Sequence, residues 1–221
     1  LDDIDRGLSF VRQGLDLARQ IGSDEAVFSA LNNLACRGLG KADRLAEQQQ
    51  DSTETLTAAL ADARAALAHA QRGGNPYQVA LVQSNLAPIL RRLGLLDEAR
   101  QTYQACAALC DQMGYRNLRA AVDLGLGLLA CEDPQHGDGP QQLEALLPVL
   151  AQNGETGPLL RARRKLYQVY KAQGRLAEAL AQHEQLHALE LRSREVRADL
   201  QSRLLINRVD VDQARHATER A

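Results

Sequence analysis

Residues 85–106 read NLAPILRRLGLLDEARQTYQAC, and residues 165–186 read KLYQVYKAQGRLAEALAQHEQL. Both stretches carry a Gly at the same place, Gly94 and Gly174, and a Glu-Ala pair follows each Gly at the same distance. The two glycines are 80 residues apart. Repetition at a fixed interval is typical of folds in which units of two helices stack on one another. The sequence therefore predicts an array of helix pairs.

A second series of glycines supplies the repeat period. Gly74, Gly114 and Gly154 each follow a helical pattern of apolar residues, as a helix-terminating Gly does, and they are 40 residues apart. Gly22 precedes Gly74 by 52 residues, and we interpret the polar stretch at 47–52 as an extra loop or a frayed helical extension. These landmarks predict the following helices: a partial helix at 3–20, then the pairs 24–40 with 52–72, 76–93 with 95–113, 115–132 with 140–152, and 155–173 with 175 onward.

The pattern within each repeat resembles that of the tetratricopeptide repeat family. The first helix carries a small or apolar pair, as in Asn33-Leu34-Ala35 and Asn85-Leu86-Ala87, and in the second helix an Ala precedes a large residue by four positions. A small Ala lets the two helices cross closely, and the larger residue fills the groove one turn later. The resemblance implies an all-α fold, an α-α superhelix of antiparallel helix pairs with a long C-terminal helix. The matching pairs are Ala99 with Tyr103 and Ala179 with His183.

Composition and charge argue against several classes of protein. The net charge is -2 and aromatic residues make up only 3% of the chain, so a basic face and stacking platforms for nucleic acid are both missing. No apolar run approaches the ~20 residues that a bilayer-spanning helix needs. The four cysteines have no framework spacing, which favours reduced thiols in a helical core. We therefore expect a cytoplasmic protein that contacts neither nucleic acid nor membrane.

One motif suggests metal chemistry. His183-Glu184-Gln185-Leu186-His187 is an HExxH sequence, and on a helix its two imidazoles lie on one face, where they can bind zinc. Further ligands would have to come from Glu190 or Glu195, which lie on the same continuous helix and cannot close around the metal. The interpretation we favour is that both histidines are packing or surface residues, with a zinc hydrolase as the weaker alternative. Cys106 and Cys110, four residues apart, are interpreted as small apolar core residues.

No other pattern indicates catalysis. The sequence contains no nucleophile elbow, no phosphate-binding loop after a strand, and no paired-carboxylate cleft. We therefore predict no catalytic residue, no metal, no cofactor and no enzymatic activity for this chain.

The resemblance to tetratricopeptide repeats implies a concave groove, lined by the first helix of each pair, that takes a peptide or protein ligand. The residues carried onto that face are Asn32 with Ser29 and Cys36, Ser84 and Arg91 with Leu81 and Pro88, Leu124 with Leu128, and finally Arg161, Arg164, Gln168 and Lys171. The last set is cationic and suits a carboxylate or an acidic peptide, because guanidinium groups match carboxylate geometry. A solvated helix face is the alternative for the same charges.

The end of the chain predicts a long uninterrupted helix. No helix breaker occurs from Arg175 to Ala221, and a stripe of residues recurs at alternating steps of three and four, which is a heptad seam. We predict two domains, a repeat domain at 1–190 and an extension helix at 191–221 that forms a homodimer or, alternatively, remains a solvated terminal helix. The predicted dimer seam contains Val196, Leu200, Leu204, Asn207 and Val211.

This arrangement resembles the N-terminal sensor region of bacterial tetratricopeptide-containing diguanylate cyclases (GGDEF proteins). The likeness implies a regulatory interaction module whose terminal helix dimerises and leads to a catalytic domain outside this chain. The alternative is a free-standing scaffold that binds a peptide in its groove.

Overall fold

A computed structural model describes residues 2–133, 138–152, 154 and 156–219, with side chains except at residues 2, 3, 197, 200, 201 and 203–219. The helices are α1 (Asp2–Gln20), α2 (Asp24–Glu47), α3 (Thr53–Gly73), α4 (Pro76–Arg92), α5 (Leu96–Met113), α6 (Arg116–Ala130), α7 (Gly139–Gln152), α8 (Thr156–Ala172) and α9 (Leu176–Glu219). The described residues contain no strand, and the all-α fold class is confirmed. None of the helices in the described part of the chain is both long and apolar enough to cross a bilayer.

The chain divides into two compact units, Leu1–Leu146 and Leu147–Ala221. In the first unit each helix from α1 to α6 packs against the next, and α2 also contacts α4, which in turn contacts α6. Over the residues described, α1, α3 and α5 make no such contacts with one another. Helices α2, α4 and α6 therefore form one layer, called here the inner layer, and the intervening helices form the other. In the second unit α8 packs against α9.

The helix ends are determined by local chemistry that the sequence displays. Each glycine used as a landmark has a φ in the left-handed region, where a residue without a Cβ is unstrained. At the start of α4, the side-chain oxygen of Asn75 accepts hydrogen bonds from the N–H groups of Tyr77 and Gln78, and Pro76 occupies the first turn. The predicted helix ends are thus confirmed at Gly22, Gly74, Gly94, Gly114, Gly154 and Gly174.

One helix boundary differs from the prediction. Helix α2 was expected to end near residue 40, but it continues to Glu47, and only residues 48–52 connect it to α3. Gly38 lies inside the helix because α3 approaches closely there: a Cβ at this position would lie 2.8 Å from the Cβ of Ala59. The extra residues of the first repeat therefore lengthen a helix as well as forming a loop.

The core of the first unit consists mainly of Ala and Leu side chains, as the composition predicts. Ala63, Ala80, Ala87 and Leu90 are all 0% exposed, which permits close helix crossings. Alanine at these contacts removes little volume, so the larger side chains of neighbouring helices fill the remaining space. Tyr103 is such a residue, with 2% of its surface exposed.

Cys106 lies in this core and is expected to resist alkylation. Its thiol is fully buried and donates a hydrogen bond to the carbonyl oxygen of Ala80 at 3.2 Å, and burial raises its pKa from 9.0 to about 12. At pH 8 the thiolate fraction in the folded protein is then ~1000-fold below that of an unperturbed thiol. We expect iodoacetamide to modify Cys106 at least ~1000-fold more slowly in buffer than in denaturing urea.

Mass spectrometry of tryptic peptides measures this rate, with the exposed Cys36 as the internal control. Similar rates at the two cysteines in the folded protein would contradict the prediction. The same pKa difference lowers stability at high pH, because the unfolded chain loses this proton first. The free energy of unfolding should therefore fall as the pH rises above 9.

Candidate interaction surface

The inner layer carries a pair of asparagines at its centre. Asn32 of α2 and Asn85 of α4 are both partly buried, and the Nδ2 of Asn85 donates a hydrogen bond to the Oδ1 of Asn32 at 2.9 Å. Each repeat thus contributes one amide to a contact that bridges two repeats. The pair leaves the Nδ2 of Asn32 and the Oδ1 of Asn85 on the same partly exposed surface, one a donor and the other an acceptor.

Ser84 lies beside this pair, as predicted for the groove. Its hydroxyl donates to the carbonyl oxygen of Leu81 within α4 at 2.7 Å and retains lone pairs that can accept a hydrogen bond. Leu124 and Leu128 of α6 are different, because their exposed fractions are 2% and 8%. The expectation that these two leucines contribute to a free binding face is wrong, since they are core residues.

Arg91 already has a partner. Its Nη1 is 2.6 Å from the Oε1 of Glu132, and its side chain is only 15% exposed. Arg92 next to it forms an ion pair with Asp43 of α2. The two arginines therefore tie α4 to the end of α6 and to α2. A ligand carboxylate would have to compete with Glu132 for Arg91.

The cationic set on α8 lies in the second unit. Arg161, Gln168 and Lys171 are exposed, and Arg164 forms an ion pair with Glu190 of α9 at 2.8 Å. Arg161 has no ion-pair partner among the residues that the structure describes. Two positive charges of the predicted set thus remain available on this face. That they share one groove with the asparagine pair stays a prediction.

The terminal helix α9 extends for 44 residues without interruption. Val196, the first residue of the predicted seam, is 57% exposed, and Leu191 is 45% exposed. The side chains of Leu200, Leu204, Asn207 and Val211 lie outside the described residues. Helix α9 also passes through the predicted domain boundary at residue 190 without a break, so the separate role of 191–221 stays a prediction.

The HExxH motif lies on the exposed surface of α9. The rings of His183 and His187 are parallel with centroids 6.5 Å apart, and the ring of Tyr167 on α8 lies 5.2 Å from that of His183. Within the described ranges, no third His, Cys, Asp or Glu joins them in a group that could hold a metal ion. His183 packs against Tyr167, as the repeat pattern expects of a large residue at this position.

Sequence reasoning missed two residues of the inner layer, Asn85 and Glu132. Asn85 is aligned with Asn33 in the repeat pattern, yet its partner is Asn32, one position earlier. A search for amides at neighbouring positions of successive repeats would have found this pair. Glu132 follows α6, where no periodic pattern marked it.

Comparisons with known proteins support the fold. No protein family matches the chain, and no curated protein matches it. Among solved structures, the crystal structure of BtubC (BKLC) from P. vanneervenii is similar, with 18% sequence identity and a TM-score of 0.55. The alignment covers 86% of this chain and 92% of that chain. At this identity the likeness shows the fold alone, an all-α arrangement of helical repeats.

Proposed function

We propose that this chain is a tetratricopeptide-type interaction module that binds a peptide segment of a protein partner on its inner layer. The observation that carries the proposal is the hydrogen bond between Asn32 and Asn85. It holds two amides from successive repeats in one orientation on a surface that ligands can reach.

Amide side chains suit the recognition of an extended peptide. The backbone of such a peptide presents N–H donors and C=O acceptors that are not paired within its own chain. The Nδ2 of Asn32 can donate to a peptide carbonyl, while the Oδ1 of Asn85 can accept from a peptide N–H. Because the two side chains already brace each other, little side-chain entropy is lost when a ligand binds.

A displayed library of random peptides about twelve residues long tests this proposal. We expect the wild-type chain to enrich a peptide family, and Asn32→Ala combined with Asn85→Ala to weaken binding of the enriched peptides by about tenfold or more, because two hydrogen bonds are lost. Gln101→Ala, an exposed amide on α5 in the other layer, is the matched control. Equal binding by the double variant and the control would refute the proposal.

Helix α9 supports a second proposal, that the module is a sensor whose terminal helix forms a homodimer and relays ligand binding to an output domain such as a diguanylate cyclase. The supporting observation is the length of α9 together with the exposure of Leu191 and Val196. Large apolar side chains in heptad register on an otherwise charged helix are typical of pairing surfaces. The proposed setting for this relay is the cytoplasm.

The molar mass in solution tests the second proposal. Light scattering should give a dimer for the whole chain and a monomer for a chain that ends at Leu191. Arg194→Ala, which removes an exposed charge but none of the seam residues, should remain dimeric. A monomer for the whole chain at every accessible concentration would favour the free-standing scaffold.

A further inference from the structure

The second unit contains an open cleft of about 400 Å³ between the end of α7, the start of α8 and the middle of α9. Its walls include Leu150, Ala151, Leu159, Leu189 and Val196. This volume falls within the ~300–1,000 Å³ range of clefts that bind small molecules. Leu150 and Leu159 are buried at its base, whereas Val196 is largely exposed at its edge. The cleft is therefore apolar and accessible.

The polar part of the lining has one sign of charge. Arg192 is the charged residue of the lining, and Ser193 and Thr156 contribute hydroxyl groups. Arg192 is exposed, and the described residues include no ion-pair partner for it. A guanidinium group binds carboxylates through charge-assisted hydrogen bonds, often two at once. An apolar cleft with a single cationic group at its lining suits a ligand with an alkyl chain and one negative charge.

We propose that this cleft binds an amphiphilic carboxylate, a molecule of the fatty-acid class with its alkyl chain against the leucines and its carboxylate at Arg192. The assignment does not depend on the peptide-binding proposal, because the asparagine pair belongs to the other unit. Its regulatory consequence does rest on the sensor proposal. Val196 lines the cleft and is also the first residue of the predicted dimer seam, so a bound ligand covers a side chain that pairing would use.

Calorimetric titration of the whole chain with octanoate tests the site. We expect saturable binding of octanoate, much weaker binding of octanol, and a gain of about fourfold in affinity for each added CH₂ until the cleft is full. Arg192→Gln should weaken octanoate binding by about tenfold or more and leave octanol unaffected, because only the head-group contact is lost. Arg192→Lys should restore part of the affinity.

The control is Arg194→Gln, which removes an exposed arginine of the same helix that does not line the cleft. Ala151→Phe, at an exposed position of the lining, should fill the cleft and abolish binding of both octanoate and octanol. Equal affinities for octanoate and octanol, an unchanged affinity in Arg192→Gln, or no saturable binding would overturn the inference. Octanoate affinity that falls as protein concentration rises in Arg192→Gln as well as in wild type would identify a second copy of the chain as the occupant and would also overturn it.

The site and the relay are separable by adding octanoate during light scattering. If both hold, octanoate shifts the wild-type equilibrium toward monomer, since binding and pairing compete for Val196 and such coupling is reciprocal. Octanoate binding by a chain that never dimerises would support the site and contradict the relay. A dimer that binds no octanoate would overturn the site and leave the relay standing.

Discussion

Replacing Tyr103 by alanine is expected to lower the free energy of unfolding by about 3–5 kcal/mol. Tyr103 is 2% exposed and belongs to the core shared by α2, α3, α4, α5 and α6. Its ring lies against the backbone of Gly125 in α6, so it joins the second helix of one repeat to the first helix of the next. Truncation removes a large buried ring and leaves a cavity between two repeats, which rigid helices fill only in part.

Urea denaturation followed by circular dichroism measures this loss, and the absence of tryptophan makes the helical signal the natural choice. Tyr103→Phe retains the ring and serves as the control. It should cost about 1 kcal/mol, the usual net contribution of a hydrogen bond, because only the hydroxyl is lost. A loss below about 1 kcal/mol in Tyr103→Ala would contradict the role assigned to this ring.

Replacing Gly125 by alanine is expected to destabilise the same contact from the opposite side. A Cβ at this position would lie 2.3 Å from the Cε1 and Cζ atoms of Tyr103, far inside van der Waals contact. The ring is buried and has little room to move, so overpacking should cost about 1–3 kcal/mol. That cost is measured against the gain of about 0.8–1.0 kcal/mol that alanine normally brings to a helix interior.

Gly14→Ala provides the matched control, because Gly14 is an exposed helical glycine and a Cβ there would have no neighbour within 4 Å. It should raise the free energy of unfolding by up to about 1 kcal/mol. A comparable gain for Gly125→Ala would mean that the contact between α5 and α6 adapts freely. Combining Gly125→Ala with Tyr103→Ala should be less costly than the sum of the two, since each relieves part of the other's defect.

These two changes also bear on the proposed peptide site. The inner layer depends on contacts of α2 with α4 and of α4 with α6, and Tyr103 and Gly125 set the spacing of α5 from α6. The asparagine pair lies between α2 and α4, one step away from that contact. A peptide that spans all three helices of the inner layer would lose affinity in Gly125→Ala, whereas a peptide held only at Asn32 and Asn85 would not.

The helices and the repeat phase were predictable from sequence because their causes are local. A glycine that ends a helix, an asparagine that caps one and an alanine that precedes a large residue by four positions act within one or two turns of chain. The same reasoning failed at Gly40, where α2 continues although a glycine is present. There the packing of α3 against Gly38 is compatible with an extended helix, and the sequence of α2 carries no sign of it.

The candidate site was only partly predictable. Asn32, Ser84 and Arg91 were placed on the inner layer by their register in the repeat, a property of the sequence alone. That Asn32 pairs with Asn85 and that Arg91 is bound to Glu132 follows from the offset between successive repeats, which depends on how side chains of different helices interlock. The sequence by itself thus determined the all-α repeat, its helix ends and its long terminal helix, through chemistry acting over a few residues. Only the tertiary structure decided which polar groups are paired and where an apolar cleft opens beside Arg192, because those outcomes depend on distances between residues far apart in the chain.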